Sequence, residues 1–600
     1  MRSLISLTAL LGAALSLSLL APPAARACGG LFCDASQPVN QAAERIIFSE
    51  NGDGTVTAVI EIKYEGPSER FSWVLPVPGV PEVGVSSVQA FDRLQQQTNP
   101  RYQLNRSFAC DLRMGANGGG FDAPTAAEPD RNDSGVIVVD SGSVGPFDYE
   151  VISVDPELPD PADAAVMWLE DNGYDVTTLG PEVLGPYLAD GLNLIAFRLN
   201  KDSDTGSIRP IRISYDAEQP FIPIRPTAVA ANEDMGILVW VISAERAIPS
   251  NYKALELNEA LIDWFNPNDT YNDVVTAAAN EAGGQGFVTE LAGDSTQLES
   301  VVLQGWERDE WARISSTTYA DGLELLREAR STFAGWDGLD DALREAVTLP
   351  DGVSFGDFLL CSACYSDEAG FALDQGALLE SIFELVVKPM FDTDELLQSR
   401  PYVTRLYTTM SADEMTVDPA FDFNSELGDV DNVHIAEMTI ACDDTFSVQL
   451  PQGDVVYGAQ NGVWPMALGE DQPAARLIMQ LAPQGEGEVV VDNSELIAGL
   501  IDAARPDEGD IFDLDPPGSG GGTAGGAAGS GGAGGDGDGD GDGVSPDEGD
   551  PAGDGTAALG DGGDDADCTC RAPGGATRPS RTTPLLLALG LLLLRRRRRG

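Results

Sequence analysis

The first half of the chain is dominated by positions that alternate between apolar and polar. Residues 44–64, ERIIFSENGDGTVTAVIEIKY, form two alternating, β-branched runs around an Asn-Gly-Asp-Gly segment. Asn and Gly tolerate the positive φ that tight hairpin turns require. This pattern predicts a β-hairpin.

Further strands follow from the same periodicity. Residues 71–87, FSWVLPVPGVPEVGVSS, predict strands and turns, and their prolines confine pairing to sheet edges. Two more strands are predicted in GVIVVDSGSVGPFDYEVISV, residues 135–154. Three others are predicted in LNLIAFRLN, IRPIRISY and MGILVWVISAE.

Helical periodicity appears first in DAAVMWLEDNGY, where Ala165, Trp168 and Leu169 share one face and Gly173 ends the helix. Apolar residues at three- and four-residue steps predict helices in ALELNEALIDWF (254–265) and YNDVVTAAANEAGG (271–284). Residues 309–396 are expected to be mostly helical.

Strands return in YVTRLYTTM, NVHIAEMTIACD, FSVQL and EVVVDN. Strands followed by helices and then strands again favour an α+β fold over a regular βαβ repeat. We therefore expect a strand-rich body at 28–300, and a helical middle with the body's C-terminal strands at 301–500.

The remaining residues predict export and a flexible tail. Residues 1–27 combine an early arginine, an apolar stretch and an Ala-Arg-Ala cleavage site, so they predict a signal peptide and a mature chain that starts at Cys28. A lipoprotein signal is the alternative. Residues 501–567 become rich in Gly and Asp and offer almost nothing to bury, which predicts a disordered acidic tether.

Export places the cysteines in an oxidising compartment, so we expect disulfides. Spacing favours one pair at Cys28 and Cys33 and another at Cys361 and Cys364. This leaves Cys110 and Cys442 as a long-range pair, although six cysteines allow about fifteen pairings.

The formal charge of the chain is −62. Such a surface repels phosphate backbones, because nucleic-acid affinity comes largely from Lys and Arg that displace counterions. Nucleic acid is therefore excluded as a partner, whereas cations or basic partners suit the charge. Solubility or adaptation to a salty medium is the other explanation of the acidity.

Four alternating aspartates in the tail are the metal candidates: Asp536, Asp538, Asp540 and Asp542. Calcium loops place carboxylates at every second residue, but the glutamate expected at the twelfth loop position is missing here. A solvated linker with at most weak calcium binding is the favoured interpretation, and we expect no other metal or cofactor.

Two short motifs are typical of catalytic sites, but the sequence around each does not predict the secondary structure that such a site requires. GVSFG, residues 352–356, matches a nucleophile elbow around Ser354, and the single histidine, His434, follows it in hydrolase order. The elbow requires a preceding buried strand, but the residues before GVSFG predict a helix and then a turn. Cys361 and Cys364 have redox spacing, yet no thioredoxin-like βαβ unit surrounds them, so a structural disulfide is favoured.

Several long stretches resemble one bacterial family. ACGGLFCD, QPVNQAAERIIF, FSWVLPVPGVPEVGVSS, WLEDNGYDV, FIPIRPTAVAANEDMGILVWV, NYKALELNEALIDWF, YNDVVTAAANEAGGQGFVTE and YVTRLYTTMSADEMTVDPAF are similar to the domain of unknown function 2330 family. The resemblance spreads over most of residues 28–493. It implies an exported bacterial envelope protein and no particular reaction.

The end of the chain resembles the MYXO-CTERM sorting signal of myxobacteria and their relatives. Residues 568–600 contain two cysteines, in the stretch CTCRAPGG, followed by the apolar run PLLLALGLLLL and five arginines. Eleven apolar residues are too few for a comfortable span, since about 20 are needed. The resemblance implies that a protease removes this ending and that Cys568 or Cys570 carries a lipid anchor. A permanent short anchor is the alternative.

Together, these features predict an outer-membrane, cell-surface protein of a Gram-negative, myxobacterium-like bacterium. We expect its partners to be a sorting protease, lipid-anchoring machinery and an unidentified surface molecule. We favour a binding or structural role over catalysis, with no catalytic residue assigned. An extracytoplasmic enzyme of the serine hydrolase or thiol-disulfide type is the alternative.

Overall fold

The computed structural model describes residues 31–32, 40–65, 72–108, 136–144, 147–172, 174, 180–199, 209–229, 231–469 and 471–505. Strands and helices occupy separate layers within this part of the chain, which confirms the predicted α+β class. The strands, in chain order, are β1 Leu31–Phe32, β2 Asn40–Glu50, β3 Thr55–Glu65, β4 Ser72–Val77, β5 Glu82–Val85, β6 Arg101–Phe108, β7 Val136–Val144, β8 Phe147–Val154, β9 Asn193–Leu199, β10 Ile211–Asp216, β11 Ala231–Ser243, β12 Ala247–Pro249, β13 Lys253–Leu257, β14 Gly286–Asp294, β15 Val347–Thr348, β16 Ala372–Leu373, β17 Tyr402–Met410, β18 Phe421–Phe423, β19 Val433–Ile440, β20 Phe446–Gln449, β21 Val455–Gly458, β22 Ala475–Gln480 and β23 Glu488–Asp492.

Six of the twelve described α-helices lie between residues 308 and 397, where the sequence predicts a mostly helical segment. A π-helical turn at Phe383–Val387 separates two of them, and short 3₁₀ turns occur at Glu259–Leu261, Pro267–Asp269, Ser295–Leu298 and Ser362–Tyr365. The α-helices are α1 Val88–Thr98, α2 Pro161–Asp171, α3 Gly180–Ala189, α4 Ile224–Thr227, α5 Tyr271–Glu281, α6 Arg308–Ser316, α7 Gly322–Thr332, α8 Leu339–Ala346, α9 Phe355–Leu360, α10 Gln375–Ile382, α11 Lys388–Leu397 and α12 Ser494–Ala503.

A mixed, ten-stranded sheet organises the molecule. Its strand order is β23-β22-β13-β14-β17-β11-β2-β3-β10-β5, and we call it the central sheet. The β11/β2 and β13/β14 pairs are parallel, and the others are antiparallel. Strands from before and after residue 300 both contribute to this sheet. The helical middle is inserted in the chain between two neighbouring strands of the sheet, β14 and β17.

Alternating side chains of the central sheet enter different cores. Ile46 and Phe48 of β2 pack against a five-stranded sheet, ordered β1-β4-β9-β8-β7, together with residues such as Phe197. Ile47, between them, faces the opposite way and packs against helices α1 and α6–α11. The period-2 pattern that predicts these strands therefore also separates the two cores.

Two further layers complete the body. Helices α2 and α3 cover the outer face of the five-stranded sheet, and Trp168 and Leu169 are fully buried there. A four-stranded sheet, β21-β20-β19-β6, packs with α5 and α12 near the other end of the central sheet. No helix in the described part of the chain has the length and apolar character to cross a membrane.

The predicted hairpin is confirmed as β2 and β3, which pair in antiparallel register from Asn40 to Glu50. The connecting turn places Gly52 at φ 75° and Gly54 at φ 91°. Both angles are left-handed, a conformation that glycine adopts without steric cost. The sequence signal and the turn geometry agree.

The helix predicted at 254–265 is wrong. Residues 253–257 form β13, which lies between β14 and β22 in the central sheet. The Asn258 side chain then accepts a hydrogen bond from the Ala260 amide at 3.2 Å and starts only a short 3₁₀ turn. Pairing with two neighbouring strands outweighs the local helical spacing here, because propensity is a weak preference.

Buried ion pairs join α1 to the central sheet. Arg45 pairs with Glu61 on the neighbouring strand, and Arg405 Nε lies 2.5 Å from Glu290 Oε2. The two arginines also reach α1, where Arg45 donates to the Gln95 side chain at 2.7 Å. These contacts fix the position of a helix that the sequence analysis did not predict.

Candidate functional site

A large cavity that described residues line lies against one face of the central sheet. It has a volume of about 620 Å³, and we call it the acidic cleft. Its lining includes five carboxylates and one guanidinium, together with hydroxyl and amide groups. The lining residues are Asn51, Asp53, Thr55, Thr57, Pro78, Val80, Glu82, Arg212, Ser214, Tyr215, Asp216, Asp392, Glu395, Leu396 and Ser399.

Three neighbouring strands form the base of the acidic cleft. The register places Ser214 of β10 between Glu82 of β5 and Thr57 of β3. The Ser214 and Thr57 hydroxyls are 2.9 Å apart. Residues in one row of a sheet share a face, so the polar groups of these three strands lie side by side.

Helix α11 forms a wall of the acidic cleft. Asp392, Glu395 and Leu396 are spaced by three and four residues, which places them on one helical face. Asp392 lies 3.9 Å from Arg212 Nη1 and 3.8 Å from Lys388 Nζ. This carboxylate is therefore already partly neutralised by the protein itself.

The β2–β3 turn closes another side of the acidic cleft. Asp53 Oδ1 accepts hydrogen bonds from the Thr55 hydroxyl at 2.7 Å and from the Thr55 amide at 3.0 Å. These bonds favour the ionised form and lower the pKa of Asp53 below its usual range. Within the described part of the chain, neither Asp53 nor Glu82 nor Asp216 forms a salt bridge. The cleft therefore presents three carboxylates that form no salt bridge there, although the Arg400 guanidinium also helps to lower the pKa of Asp53.

The carboxylates of the acidic cleft do not form a metal-binding cluster among the described residues. Among the described residues, no three His, Cys, Asp or Glu side chains are placed to hold a metal ion together. A cavity of this volume is within the range of sites for small organic molecules. Its chemistry therefore suits an organic cation better than a single ion.

A second cavity of about 370 Å³ lies between α5 and the central sheet. Its lining includes Asp234, Asn272, Asp273 and Tyr407. Asp234 has a φ of 54°, next to an irregularity in the pairing of β11 with β2. This cavity has two carboxylates where the acidic cleft has five, so the acidic cleft is the stronger candidate for cations.

Ser354 and His434 are not brought into a hydrolase arrangement. Ser354 accepts a hydrogen bond from the Asp357 amide at 3.1 Å and so caps the short helix α9. The strand before it, β15, has only two residues and is separated from Ser354 by a turn. The residues beside Ser354 pack on the helical core around α8 and α10, whereas β19, which carries His434, packs on the core around α5.

His434 has a different set of partners. Its Nδ1 lies 2.6 Å from Glu259 Oε1, and its ring stacks on Tyr102 at 4.6 Å between centroids. Tyr102 is the cross-strand neighbour of His434 in the β6/β19 pair. Burial raises the pKa of Tyr102 well above its usual range, so this hydroxyl stays neutral. The histidine lies in strand β19, within a stretch where the sequence predicts a strand.

The described cysteines form disulfides. Cys361 and Cys364 are bonded with an S–S distance of 2.14 Å, which confirms that predicted pair. Cys442 is also disulfide-bonded, to a cysteine other than these two. The other candidates lie outside the described residues: Cys28, Cys33, Cys110, Cys568, Cys570, and the aspartates Asp536, Asp538, Asp540 and Asp542.

The acidic cleft is not evident from the sequence alone. Its carboxylates come from four separate stretches of the chain, and 97 acidic residues make any pairing in sequence uninformative. The only local signal was the hairpin turn that contains Asp53. The cleft exists because β5, β10, β3 and α11 meet in the folded protein.

The fold and the cleft define an α+β protein with one polar, strongly acidic cavity beside a mixed sheet. Residues 22–302 match the model of a family described as "Uncharacterized protein conserved in bacteria (DUF2330)". The chain is similar to this family over that segment, which supports the resemblance seen in the sequence. The stretch YVTRLYTTMSADEMTVDPAF lies beyond the match, so the resemblance there stays a prediction.

Other comparisons add no functional information. No curated protein matches the chain. A solved structure of a mutated baculovirus P35 after caspase cleavage matches at 12% identity, covering 36% of this chain and 77% of that chain, with a TM-score of 0.20. A likeness of that size carries no argument about fold or activity.

Proposed function

We propose that this protein is exported, anchored at the cell surface through a processed C-terminus, and binds organic cations in the acidic cleft. The observation that carries the binding proposal is the set of three carboxylates, Asp53, Glu82 and Asp216, that line the cleft and form no salt bridge in the described part of the chain. Alkylammonium and guanidinium groups are the chemistry that this set would recognise.

Two sources supply such groups, namely free polyamines and the Lys or Arg side chains of a protein. We therefore suggest calorimetric titration of the full chain with spermidine and, separately, with a tetralysine peptide. Binding of spermidine alone indicates a small-molecule site, and binding of the peptide alone indicates a protein partner. If neither ligand binds, the cleft proposal is wrong.

The matched variants test whether the cleft is the site. Glu82→Gln with Asp216→Asn removes two charges and keeps the side-chain shapes. We expect affinity to fall about fivefold, because partly exposed ion pairs are individually weak. Asp163→Asn with Glu170→Gln removes two exposed charges from α2 and is expected to leave affinity unchanged. Equal losses in both variants would indicate a general charge effect.

The export and anchoring proposal rests on the two ends of the sequence. Mass spectrometry of terminal peptides from the native envelope is the direct test. We expect a chain that begins at Cys28 and ends at Cys568 or Cys570 with an added lipid mass. Recovery of the intact arginine ending would contradict removal of a sorting signal and would favour a permanent short anchor.

No described contact favours the catalytic alternative. The residues from Glu345 to Val387 contain no Lys, Arg or His, while Asp357 and Glu368 lie near the Cys361–Cys364 disulfide in sequence. Reactive thiols need nearby positive charge to favour the thiolate, and this segment supplies negative charge instead. The disulfide is therefore better explained as structural.

A further inference from the structure

The edge strand β23 carries an unusual amount of exposed apolar surface. All five of its residues are exposed, and Val489, Val490 and Val491 are 51%, 52% and 37% accessible. Leu496, at the start of α12, is 53% accessible and follows in the same segment. Three consecutive exposed valines at the end of a ten-stranded sheet call for an explanation.

One side of β23 is paired and the other is open. Val489 is opposite Met479 and Val491 is opposite Ile478 on β22, with an irregularity at Val490. No other described strand pairs with β23, which ends the central sheet. Its outer backbone amides and carbonyls are thus placed to accept an additional strand.

The charged residues in the segment that contains β23 are all acidic, although Arg476 on the paired strand β22 also acts on Asp492. Glu486 and Glu488 precede the valines, and Asp492 and Glu495 follow them. No Lys, Arg or His occurs from Leu477 to Ala504. The Ser494 amide donates to Asp492 Oδ1 at 2.9 Å and lowers the pKa of that carboxyl group, so the charge at this end of the strand is kept in mild acid.

These charges disfavour a second copy of the chain as the occupant. If two copies of β23 paired in antiparallel fashion about Val490, Glu488 of each copy would lie opposite Asp492 of the other. Like charges directly opposite each other destabilise a strand pair. The same acids attract a strand whose ends carry Lys or Arg.

We propose that β23 is a docking strand for a basic protein partner, which adds an extended segment with an apolar centre bracketed by Lys or Arg. The partner's backbone pairs with the open side of β23, its apolar side chains cover the valines, and its basic residues face Glu488 and Asp492. This surface is separate from the acidic cleft, since β23 and β5 are at opposite edges of the central sheet.

Fluorescence anisotropy with the full chain tests the proposal. The probe is a labelled peptide of sequence SKVTVRS, and the matched control is the same peptide N-methylated at its three central residues. We expect the first peptide to bind and the second to fail, because N-methylation removes backbone donors but preserves charge and side chains. Equal binding of both peptides, or no binding of the first, would overturn the proposal.

Protein variants locate the contact. Glu488→Gln with Asp492→Asn is expected to weaken binding about fivefold while leaving the edge backbone intact. Val490→Pro is expected to abolish binding, and Val490→Thr is its matched control, since threonine keeps the amide and a similar shape. Thermal melting of each variant checks that it is folded. If Val490→Pro does not fold, the Glu488→Gln with Asp492→Asn variant still tests the proposal.

Two results point to other occupants. Weaker peptide binding in the Glu82→Gln and Asp216→Asn variant would place the peptide in the acidic cleft and refute docking on β23. Sedimentation that shows a dimer of the wild-type chain, lost on Val490→Pro, would assign the edge to a second copy. A monomer at all concentrations, with the peptide results above, supports the basic partner.

Discussion

Single buried acids give this protein a dependence on pH that its overall charge does not reveal. Asp148 of β8 is 8% exposed and accepts a hydrogen bond from the Ser143 hydroxyl. Burial raises the pKa of Asp148 to about 6, against an opposing effect of Arg198. The folded protein therefore holds a proton on this carboxyl group more tightly than the unfolded chain does.

The sign of the effect follows from this difference. Between about pH 4 and pH 6 the folded state is protonated at Asp148 while the unfolded state is not, so the free energy of unfolding falls as pH rises through this window and is level above it. We expect Asp148→Asn to remove this contribution. The measurement is urea unfolding from pH 4 to pH 8, in which the free energy of unfolding of the variant is subtracted from that of the wild type.

The prediction is contradicted if the difference in free energy of unfolding between wild type and Asp148→Asn does not change with pH. Asp163→Asn is the control, because Asp163 is an exposed acid at the start of α2. It removes one charge without removing a buried group.

Removing one partner of a buried ion pair is expected to lower the free energy of unfolding far more than removing one partner of an exposed pair. Glu290 is 3% exposed and accepts from both Arg405 Nε and the Tyr271 hydroxyl. Glu290→Gln leaves Arg405 with an uncompensated buried charge, so we expect a loss of about 3 kcal/mol in the free energy of unfolding. Glu328→Gln breaks the surface pair with Arg313, which has a 3.0 Å contact, and is expected to cost under about 1 kcal/mol. Chemical unfolding of both variants makes the comparison, and equal losses would be inconsistent with it.

At the scale of elements, the parallel pairing of β6 with β19 bears on the disulfides. The register places Phe108 opposite Ile440. Cys110 and Cys442 each follow two residues further along the chain. Cys110 lies outside the described residues, so its pairing with Cys442 stays a prediction, which the parallel direction of the two strands up to Phe108 and Ile440 favours.

The test is mass spectrometry of peptides from unreduced protein. We expect one disulfide-linked species that contains Cys110 and Cys442, absent after reduction. A peptide that links Cys442 to Cys28 or Cys33 would show that the pairing is different.

The elements also show where local pattern is sufficient. The β2–β3 hairpin and α5 follow their sequence signals, because turn residues and apolar spacing agree with their surroundings. Residues 253–257 do not follow theirs, because neighbouring strands on both sides compete with local helical spacing. Helix α1 was missed although Phe91 and Leu94 are fully buried, because its position depends on Arg45 and Arg405 from distant strands.

At the scale of the whole molecule, the body and the acidic tail are expected to differ in resistance to proteolysis. Residues 506–567 contain no Lys or Arg, so trypsin does not cleave within them. We therefore predict that a protease specific for Asp and Glu first cuts beyond Arg505 and leaves a fragment that includes β2 to α12. Electrophoresis with mass analysis over time is the measurement, and earlier cleavage inside 231–469 would contradict it.

The sequence by itself determined the fold class, the location of most strands, the helical middle and the Cys361–Cys364 disulfide. These features depend on residues close in the chain, so periodicity and spacing report them directly. Only the tertiary structure decided the strand order, the acidic cleft and the open edge of β23. Each depends on segments separated by tens to hundreds of residues, such as Glu82, Asp216 and Asp392 in the cleft. Among 97 acidic residues, only folding determines which carboxylates become neighbours.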